Sequence, residues 1–572
     1  MTRDDQAPAD ATAPSDTSHL DDESSARRVA GSTLLMAAGT TFSRLSGFLR
    51  SALLVAALGG VLHADLFNLA NTVPNMVYIL VAGGIFNAVL VPQLVRAMTH
   101  DADGGNAYAQ RLVTLAGLFL LVVTVVLVVA APWVMQLFLD SDFDAPERQA
   151  HVDSVVAFAR FCLPQVFFYG MFVLVGQVLN ARGRFGPMMW APIANNVISV
   201  AVLVVYLVVF GPARGAELVG PYTPGQELLL GLGSTAGIAV QFLVLLPYLR
   251  KAGFRYRPRF DFRDSGLGHT LRLGMWTVLF VVVNQIAYTV VVRLASSGTA
   301  ADPEGTGYTV YSNAFLIVMV PHSIITVSLA TAVLPRLSRL AADDRLADLG
   351  RTVGSTLRGA LVVVAPFVVL LPVVASDVSR VIWGFGAGSE NWQSFAPSLA
   401  TFAPGLLFFT VHYVMLRGFY ALEQTRTVFW IQVVVATTNV MLALVLVHGA
   451  TPTQTAPRLV LAYVGAYAVG SLLSYAVLRR TTGDLGDAAT VRFAVRMLVA
   501  LLCTAAAAFG TAQLVGLLLD SDAWVSALLR GACAGVVGLV VFVLAARLTR
   551  ITEVTTVLDR FAGPLRRRLQ RR

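Results

Sequence analysis

The sequence predicts an all-α polytopic membrane protein with about fourteen transmembrane helices. Three observations carry that expectation. Of 572 residues, 56% are hydrophobic and only 13% charged, about half the charge of a soluble domain. Runs of about 20 apolar residues, the length that crosses a hydrocarbon core of roughly 30 Å, recur along nearly the whole chain. The loops between them alternate in charge. A soluble protein with buried helices would show shorter, amphipathic runs.

In order, the expected spans are 32–60, 66–97, 111–138, 154–180, 188–211, 227–249, 271–296, 309–337, 358–383, 396–421, 428–448, 457–479, 492–517 and 524–548. Each is a long apolar run ended by charge, glycine or proline. The second is long, with Pro74 placed to kink it. The first 28 residues are acidic and rich in Ala, Ser and Thr. They lack the basic-then-apolar pattern of a cleaved signal, so they read as a disordered tail. A net charge of +9 would suggest nucleic acid in a soluble protein. Here the arginines sit between apolar runs, no nucleic-acid signature appears, and Lys251 is the sole lysine. Cys162, Cys503 and Cys533 lie inside apolar runs, without metal-ligand spacing, and read as packing residues.

Loop charge gives the orientation. After the third span come Asp140, Asp142, Asp144, Glu147 and Asp153, after the seventh Asp302 and Glu304, after the thirteenth Asp520 and Asp522. The alternate loops are basic. The sixth carries Arg250, Lys251, Arg255, Arg257, Arg259, Arg263 and Arg272; Arg182 and Arg184 follow the fourth span, Arg479 and Arg480 end the twelfth, and Arg27 and Arg28 precede the first. Basic loops stay cytoplasmic, which puts both termini inside the plasma membrane of a bacterium and demands an even helix count. Twelve would also satisfy that parity. The basic loop 250–272 has anionic-lipid binding as a second reading.

Two sequence echoes suggest an internal duplication. Val91-Pro92-Gln93-Leu94 returns as Leu334-Pro335-Arg336-Leu337, and the turn ending at Arg184 returns as one ending at Arg426. Six spans per copy is an even number, so the copies share an orientation and are related by a pseudo-twofold along the membrane normal. The expected organisation is therefore a cytoplasmic tail (1–28), an N-lobe of six spans (29–250), a basic linker (251–272), a C-lobe of six (273–480), a final pair (481–548) and a basic tail (549–572). Two lobes facing each other enclose a cavity that rocking opens to either side.

Polar groups inside the spans mark candidate substrate-binding residues, because a charge at the bilayer centre costs at least about 2.5 kcal/mol. Arg44 and Arg50 lie in the first span. Their spacing of six sets them about 240° apart on an ideal helix, so one is expected at the cavity and the other at an interhelical or cytoplasmic contact. In the second span Asn68, Asn71 and Asn75 share one face, and Asp65 sits at its start, where the helix dipole favours an acid. Arg293 stands behind Asn284 and Gln285 in the seventh span; His322, His412 and Arg417 add polar groups to the C-lobe. Acids are absent from spans seven, eleven and twelve, and neither a zinc motif, a phosphate-binding Gly-Lys-Ser/Thr loop nor a nucleophile triad is present. No metal, cofactor or enzyme is read here. Arginines without acids suit an anion, since the guanidinium fork matches phosphate oxygens.

At Ser43-Arg44-Leu45-Ser46-Gly47-Phe48-Leu49-Arg50 the chain resembles the MurJ/MviN family of lipid II flippases, in the multidrug/oligosaccharidyl-lipid/polysaccharide exporter superfamily. The resemblance continues through Ala64-Asp65-Leu66-Phe67, Val73-Pro74-Asn75, Gly83-Gly84-Ile85-Phe86 and Val91-Pro92. It returns at Leu179-Asn180-Ala181-Arg182-Gly183-Arg184-Phe185, at Ala191-Pro192 with Asn195 and Asn196, at Leu334-Pro335-Arg336-Leu337-Ser338-Arg339 and at Arg417 through Thr427. It implies alternating access by two lobes and a lipid-tail groove at the last two spans. The implied cargo is an undecaprenyl-pyrophosphate-linked disaccharide pentapeptide, with Arg44 and Arg50 meeting the pyrophosphate and Asp65 at the family's acidic position. Three positions depart from the pattern: Ser51 for an acid, and Tyr78 and Ala314 for arginines. They resemble an actinobacterial-type branch and leave Arg293 or Arg417 as substitutes. The family's sodium-site acids on spans seven and eleven are missing, which speaks against sodium coupling. Some relatives in that branch carry a C-terminal pseudokinase domain, which 549–572 is too short to hold. Membrane lipids and cell-wall synthesis or division proteins are implied partners. Alternatives are a flippase for another polyprenyl-linked glycan, a cation-coupled drug exporter, a polytopic glycosyltransferase, and a division scaffold.

Overall fold

The computed structural model describes residues 39, 42–81, 94, 97, 103, 105–261, 267–519 and 523–554, with only the backbone of 267–273. The tail 1–28, the motifs at 83–86 and 91–93, Arg263, the Arg272 side chain, Asp520, Asp522 and the basic tail from 555 onward lie outside the described residues. Every described element is a helix or a connection between helices.

Twelve helices are long and apolar enough to cross a membrane, and they correspond one for one to expected spans three to fourteen. They are α3 (Asn106–Val129), α4 (Pro146–Ala181), α5 (Gly186–Val209), α6 (Pro224–Lys251), α7 (Gly274–Ala301), α8 (Tyr308–Ala342), α9 (Leu346–Trp383), α10 (Trp392–Ala421), α11 (Thr425–Val447), α12 (Pro452–Thr482), α13 (Asp487–Leu518) and α14 (Trp524–Leu548). Before them stand α1 (42–58) and α2 (Leu62–Tyr78), each running up to residues outside the described set. Pro74 lies inside α2, with a π-turn at 79–81 just beyond it. A second π-turn, His322–Thr326, follows Pro321 within α8, where the ring removes one backbone donor.

The expected spans stop short of several helices. α9 starts at Leu346 rather than 358 and α4 at Pro146 rather than 154, because amphipathic turns with charges extend both beyond the apolar run. The two turns that the sequence pairs close alike, as do those after α6 and α8. After α4, Arg184 N–H donates to Leu179 O (2.9 Å), with Gly183 at φ 71°; after α10, Gln424 N–H donates to Phe419 O (2.9 Å), with Glu423 at φ 57°. Both close helices with the same six-residue ring and left-handed residue. The turns thus align Gly183 with Glu423, two residues away from the expected pairing of Arg184 with Arg426.

The apolar cores say how the lobes meet. At the end of the bundle carrying the acidic loops, one continuous core joins residues of α1, α2 and α4 to residues of α7, α8, α10 and α12. At the basic-loop end there are two. One holds α3, α4 and α6 residues such as Leu120, Leu179 and Leu249; the other holds α8 to α12 residues such as Leu337, Phe419 and Leu478. Among the described residues, the lobes share one core at the acidic end and keep separate cores at the basic end. α13 and α14 pack on α9 through a smaller core and an ion pair, Arg530 Nη2 to Asp377 Oδ1 at 2.5 Å. Their outer faces expose Val491, Leu498, Leu502, Phe509, Leu517 and Leu548. Cys162 is buried, whereas Cys503 and Cys533 are exposed on these apolar faces, so only the first is a packing residue within the bundle.

Candidate functional site

The basic end opens into a cavity of about 620 Å³. Among the described residues, five of its walls are N-lobe helices, α1, α2, α4, α5 and α6, and the C-lobe contributes only α8, through Tyr308, Ser312, Asn313 and Leu316. The expected cavity between two equal faces is therefore lopsided. From α1 come Ser43, Arg44, Gly47, Arg50, Ser51 and Leu54; from α2, Asn68, Asn71, Thr72 and Asn75.

Both arginines reach this cavity, contrary to the expectation that only one would. The 240° between them is 120° measured the other way, and that narrower arc is the one that faces the cavity. Gly47 and Leu54 run down its middle, with Arg44 and Arg50 at its edges. Arg44 is exposed and Arg50 half-buried. They are the only charged groups among the described lining residues, and the facing walls set amides and hydroxyls, Asn195 and Asn196 of α5, Gln165 and Tyr169 of α4 and Ser234 of α6, among apolar side chains such as Met188, Met189, Leu230 and Ile238. Asn196 Nδ2 holds α1 in place by donating to Ser43 O (3.0 Å) and Ser46 Oγ (2.8 Å). Gln165 Nε2 donates to Asn71 Oδ1 (3.0 Å), and Asn75 is exposed to the cavity. Gln165, Tyr169, Ser234, Ser312 and Asn313 were not singled out from the sequence. Isolated polar residues in apolar runs signal a wet face only once their neighbours are known.

Asp65 lies off the cavity and is fully buried. It caps another helix rather than its own. Its carboxylate accepts from Thr309 N–H (2.7 Å), Tyr308 N–H (3.1 Å) and Thr299 Oγ1 (3.0 Å). α8 begins at Tyr308, so an N-lobe acid meets the positive end of a C-lobe helix. Around it Asn68 Nδ2 donates to Thr309 Oγ1 (2.9 Å), Thr72 Oγ1 meets the Tyr308 hydroxyl (2.5 Å), and Gly60 N–H donates to Asn391 Oδ1 (3.0 Å). Ser51 Oγ donates to Asn313 Oδ1. Among the described residues, the hydrogen bonds joining the lobes run from the acidic end only as far as Gln285 Nε2 to Met76 O (2.5 Å), near mid-bundle.

Arg293 and Arg417 do not reach the cavity. Arg293 Nη1 donates to Gln136 O (3.1 Å) near the acidic end, because it sits eight residues from the end of α7 on the side turned to the α3–α4 connection. Arg417 lies over Tyr413, 4.2 Å from its ring centroid, inside the C-lobe. Tyr78 packs on Tyr169, centroids 4.7 Å apart, and Ala314 is buried, so neither replaces an arginine. Gln432 Nε2 donates to Asn284 Oδ1 (2.7 Å), and His412 Nδ1 lies 3.3 Å from Gly470 O. Among the described residues, no group of three or more His, Cys, Asp or Glu could hold a metal ion.

The family model for the lipid II flippase MurJ matches residues 54–525. The chain belongs to the MurJ family. It is 27% identical over 442 residues to a probable lipid II flippase MurJ of Rhizobium meliloti, covering 77% of this chain and 78% of that one. It is 24% identical over 416 residues to a probable MurJ flippase of Haemophilus influenzae, covering 70% and 77%. A solved structure of a lipid II flippase MurJ in an inward closed conformation superposes with a TM-score of 0.68 at 17% identity, over 90% of this chain and 99% of that one. An inward-facing multidrug resistance MATE family transporter of the MOP superfamily gives 0.61 at 15% identity, over 78% and 96%. The fold is thus shared with a MATE transporter.

Proposed function

We propose that the protein carries lipid II, the undecaprenyl-pyrophosphate-linked peptidoglycan precursor, from the inner to the outer leaflet of a bacterial plasma membrane by alternating access. Family membership supports the cargo. The observation that carries the mechanism is a membrane cavity whose only charged lining groups, among the described residues, are Arg44 and Arg50. A pyrophosphate entering it meets two guanidinium groups without a competing carboxylate, at reduced dielectric where charge-assisted hydrogen bonds strengthen. The amides of Asn68, Asn71, Asn75, Asn195 and Asn196 suit the sugars and peptide.

The acidic-loop end is read as the outside, with both termini in the cytoplasm. The shared core and the Asp65 latch then close the outer side, and the cavity faces the inner leaflet where the precursor is made. The tail stays in lipid, and the apolar faces of α13 and α14 on α9 supply a groove for it. Outward movement of a pyrophosphate is favoured by an inside-negative potential by about 2.3 kcal/mol per charge per 100 mV. The absence of acids from α7 and α11 in the sequence agrees with a potential-driven rather than sodium-coupled cycle. In a host depleted of the protein, inner-leaflet lipid II should accumulate, and wild type but not Arg50→Ala should clear it. Full clearance by Arg50→Ala would remove Arg50 from the site; accumulation of a different polyprenyl-linked glycan would change the cargo.

A further inference from the structure

A second cavity, of about 760 Å³, lies near the acidic end where the α3–α4 connection and α4 face α7. It shares no lining residue with the central one. Two arginines and three aspartates line it: Arg160 and Arg293, and Asp140, Asp144 and Asp153. Opposite charges in one small space ordinarily pair. Here none of the five forms an ion pair with another; Arg293 donates one hydrogen bond to a backbone carbonyl, and Arg160 has no partner among the described residues. The signs are kept apart.

They are also layered. Asp153 and Arg160 are seven residues apart on α4, two turns along one face, so the acid stands about 10 Å nearer the loop end than the base. Asp140 and Asp144 lie in the loop itself. Arg293 is eight residues inside the end of α7, about 12 Å in. The arginines are deep and the aspartates shallow. The cavity's rim carries Pro132, and Trp133 beside it is 65% exposed, a residue type that settles at the membrane–water interface. Val156 and Ala157 supply an apolar wall between the two charge layers.

We propose that this cavity binds the headgroup of a zwitterionic phospholipid with a primary ammonium, phosphatidylethanolamine, its phosphate on Arg160 and Arg293 and its ammonium on the aspartates. In such a lipid the phosphate lies next to the glycerol and the ammonium further out, the same order as the two charge layers. Asp140 accepts from Asp142 N–H and Asp153 from Gln149 Nε2, but neither partner is charged, so an anionic headgroup would still be repelled by three carboxylates. A trimethylated ammonium would present no N–H to them. The assignment of this site to the outer leaflet rests on the orientation given above; the binding does not. A bound lipid at the seam between α4 and α7 would wedge the surface along which the lobes must part.

The test is native mass spectrometry of the full-length protein equilibrated with equal amounts of phosphatidylethanolamine, phosphatidylglycerol and phosphatidylcholine of identical acyl chains. Wild type should retain phosphatidylethanolamine at least fivefold over the other two. Arg160→Ala/Arg293→Ala should lose that excess, and Asp140→Asn/Asp144→Asn/Asp153→Asn should bring phosphatidylglycerol up to equal retention. Val156→Trp, which fills the cavity and keeps every charge, guards against an arginine variant that fails to fold; it should lose the excess too. Arg50→Ala should leave retention unchanged, so a failure of the flipping assay and a failure of this one are read separately. Equal retention of phosphatidylethanolamine and phosphatidylglycerol by wild type, retention of phosphatidylcholine as strong as phosphatidylethanolamine, or an undiminished excess in the arginine and Val156→Trp variants would each overturn the proposal.

Discussion

Asp65 shows how much one side chain can set in a transporter. It takes two backbone donors of α8 and one hydroxyl, all across the seam between the lobes. Hydrogen bonds to a charged acceptor contribute about 1.5–3 kcal/mol, so Asp65→Ala should favour opening of the acidic end by roughly 10- to 100-fold. Hydrogen exchange at the amides of 308–313 reads this directly; protection equal to wild type would mean the latch is not closed in solution. Asp65→Asn should fall between the two, keeping the acceptor oxygen without the charge. The sequence disclosed the acid at the start of α2 and the intramembrane arginines, because a charge inside an apolar run is visible without a structure. It did not disclose direction. Asp65 looked like a cap for its own helix, and Arg293 like a cavity residue, because sequence gives depth along a helix but not which neighbour each face meets.

At the scale of elements, the latch works only because α8 can begin close to α2. Gly307 precedes Tyr308, and a β-carbon there would run into the Asp65 carboxylate and approach Thr299 Cγ2 to 3.0 Å. Gly307→Ala should therefore loosen the acidic end much as Asp65→Ala does. Because the two residues share one contact, the double variant should be no looser than Asp65→Ala alone; additive losses of protection at 308–313 would refute the shared contact. The basic linker is pinned in a different way. Arg111 donates to Asp261 at 2.8 Å, Gln110 Nε2 donates to Arg255 O, and Arg259 N–H donates to Thr114 Oγ1. The Arg111 guanidinium beside Asp261 holds its carboxyl below the usual carboxylate range. A lowered folded value means the pin is complete above the ordinary carboxylate value of about 3.9 and is lost only as pH falls through the lowered one. Asp261→Asn should thus lower the protection factor of the Arg259 amide throughout neutral pH, while the wild-type protection factor stays flat from pH 5 to 8. Helix identity in this chain was legible almost everywhere, since twelve spans follow from apolar length alone. Their ends were less so: the amphipathic starts of α4 and α9 carry charges that a hydropathy reading places in loops.

For the whole molecule, the distribution of apolar packing carries the mechanism. One core spans both lobes at the acidic end and two separate cores stand at the basic end. Packed cores resist continuous deformation, so under the proposed alternating access each lobe end would move as a block and the lobes would pivot about the region between. Opening the acidic end must split a shared core and the Asp65 latch; the compensation is a new seam between the two basic-end blocks. The sequence suggested a pseudo-twofold as a faint echo, but it did not disclose this division of the core, which depends on which apolar residues touch. Spin labels at the exposed positions Arg184 and Glu423, the equivalent basic-end turns of α4 and α10, report one mouth; labels at exposed Asp144 and Asp302 report the other. Alternating access requires the two distances to change in opposite senses. In wild type without cargo the acidic pair should hold a single short distance. In Asp65→Ala a longer population should appear there, together with a shorter one between 184 and 423, in the same proportion. If the acidic pair lengthens while the basic pair is unmoved, the lobes do not rock as blocks, and the cavity around Arg44 and Arg50 would have to open outward by bending α1 or α8 alone.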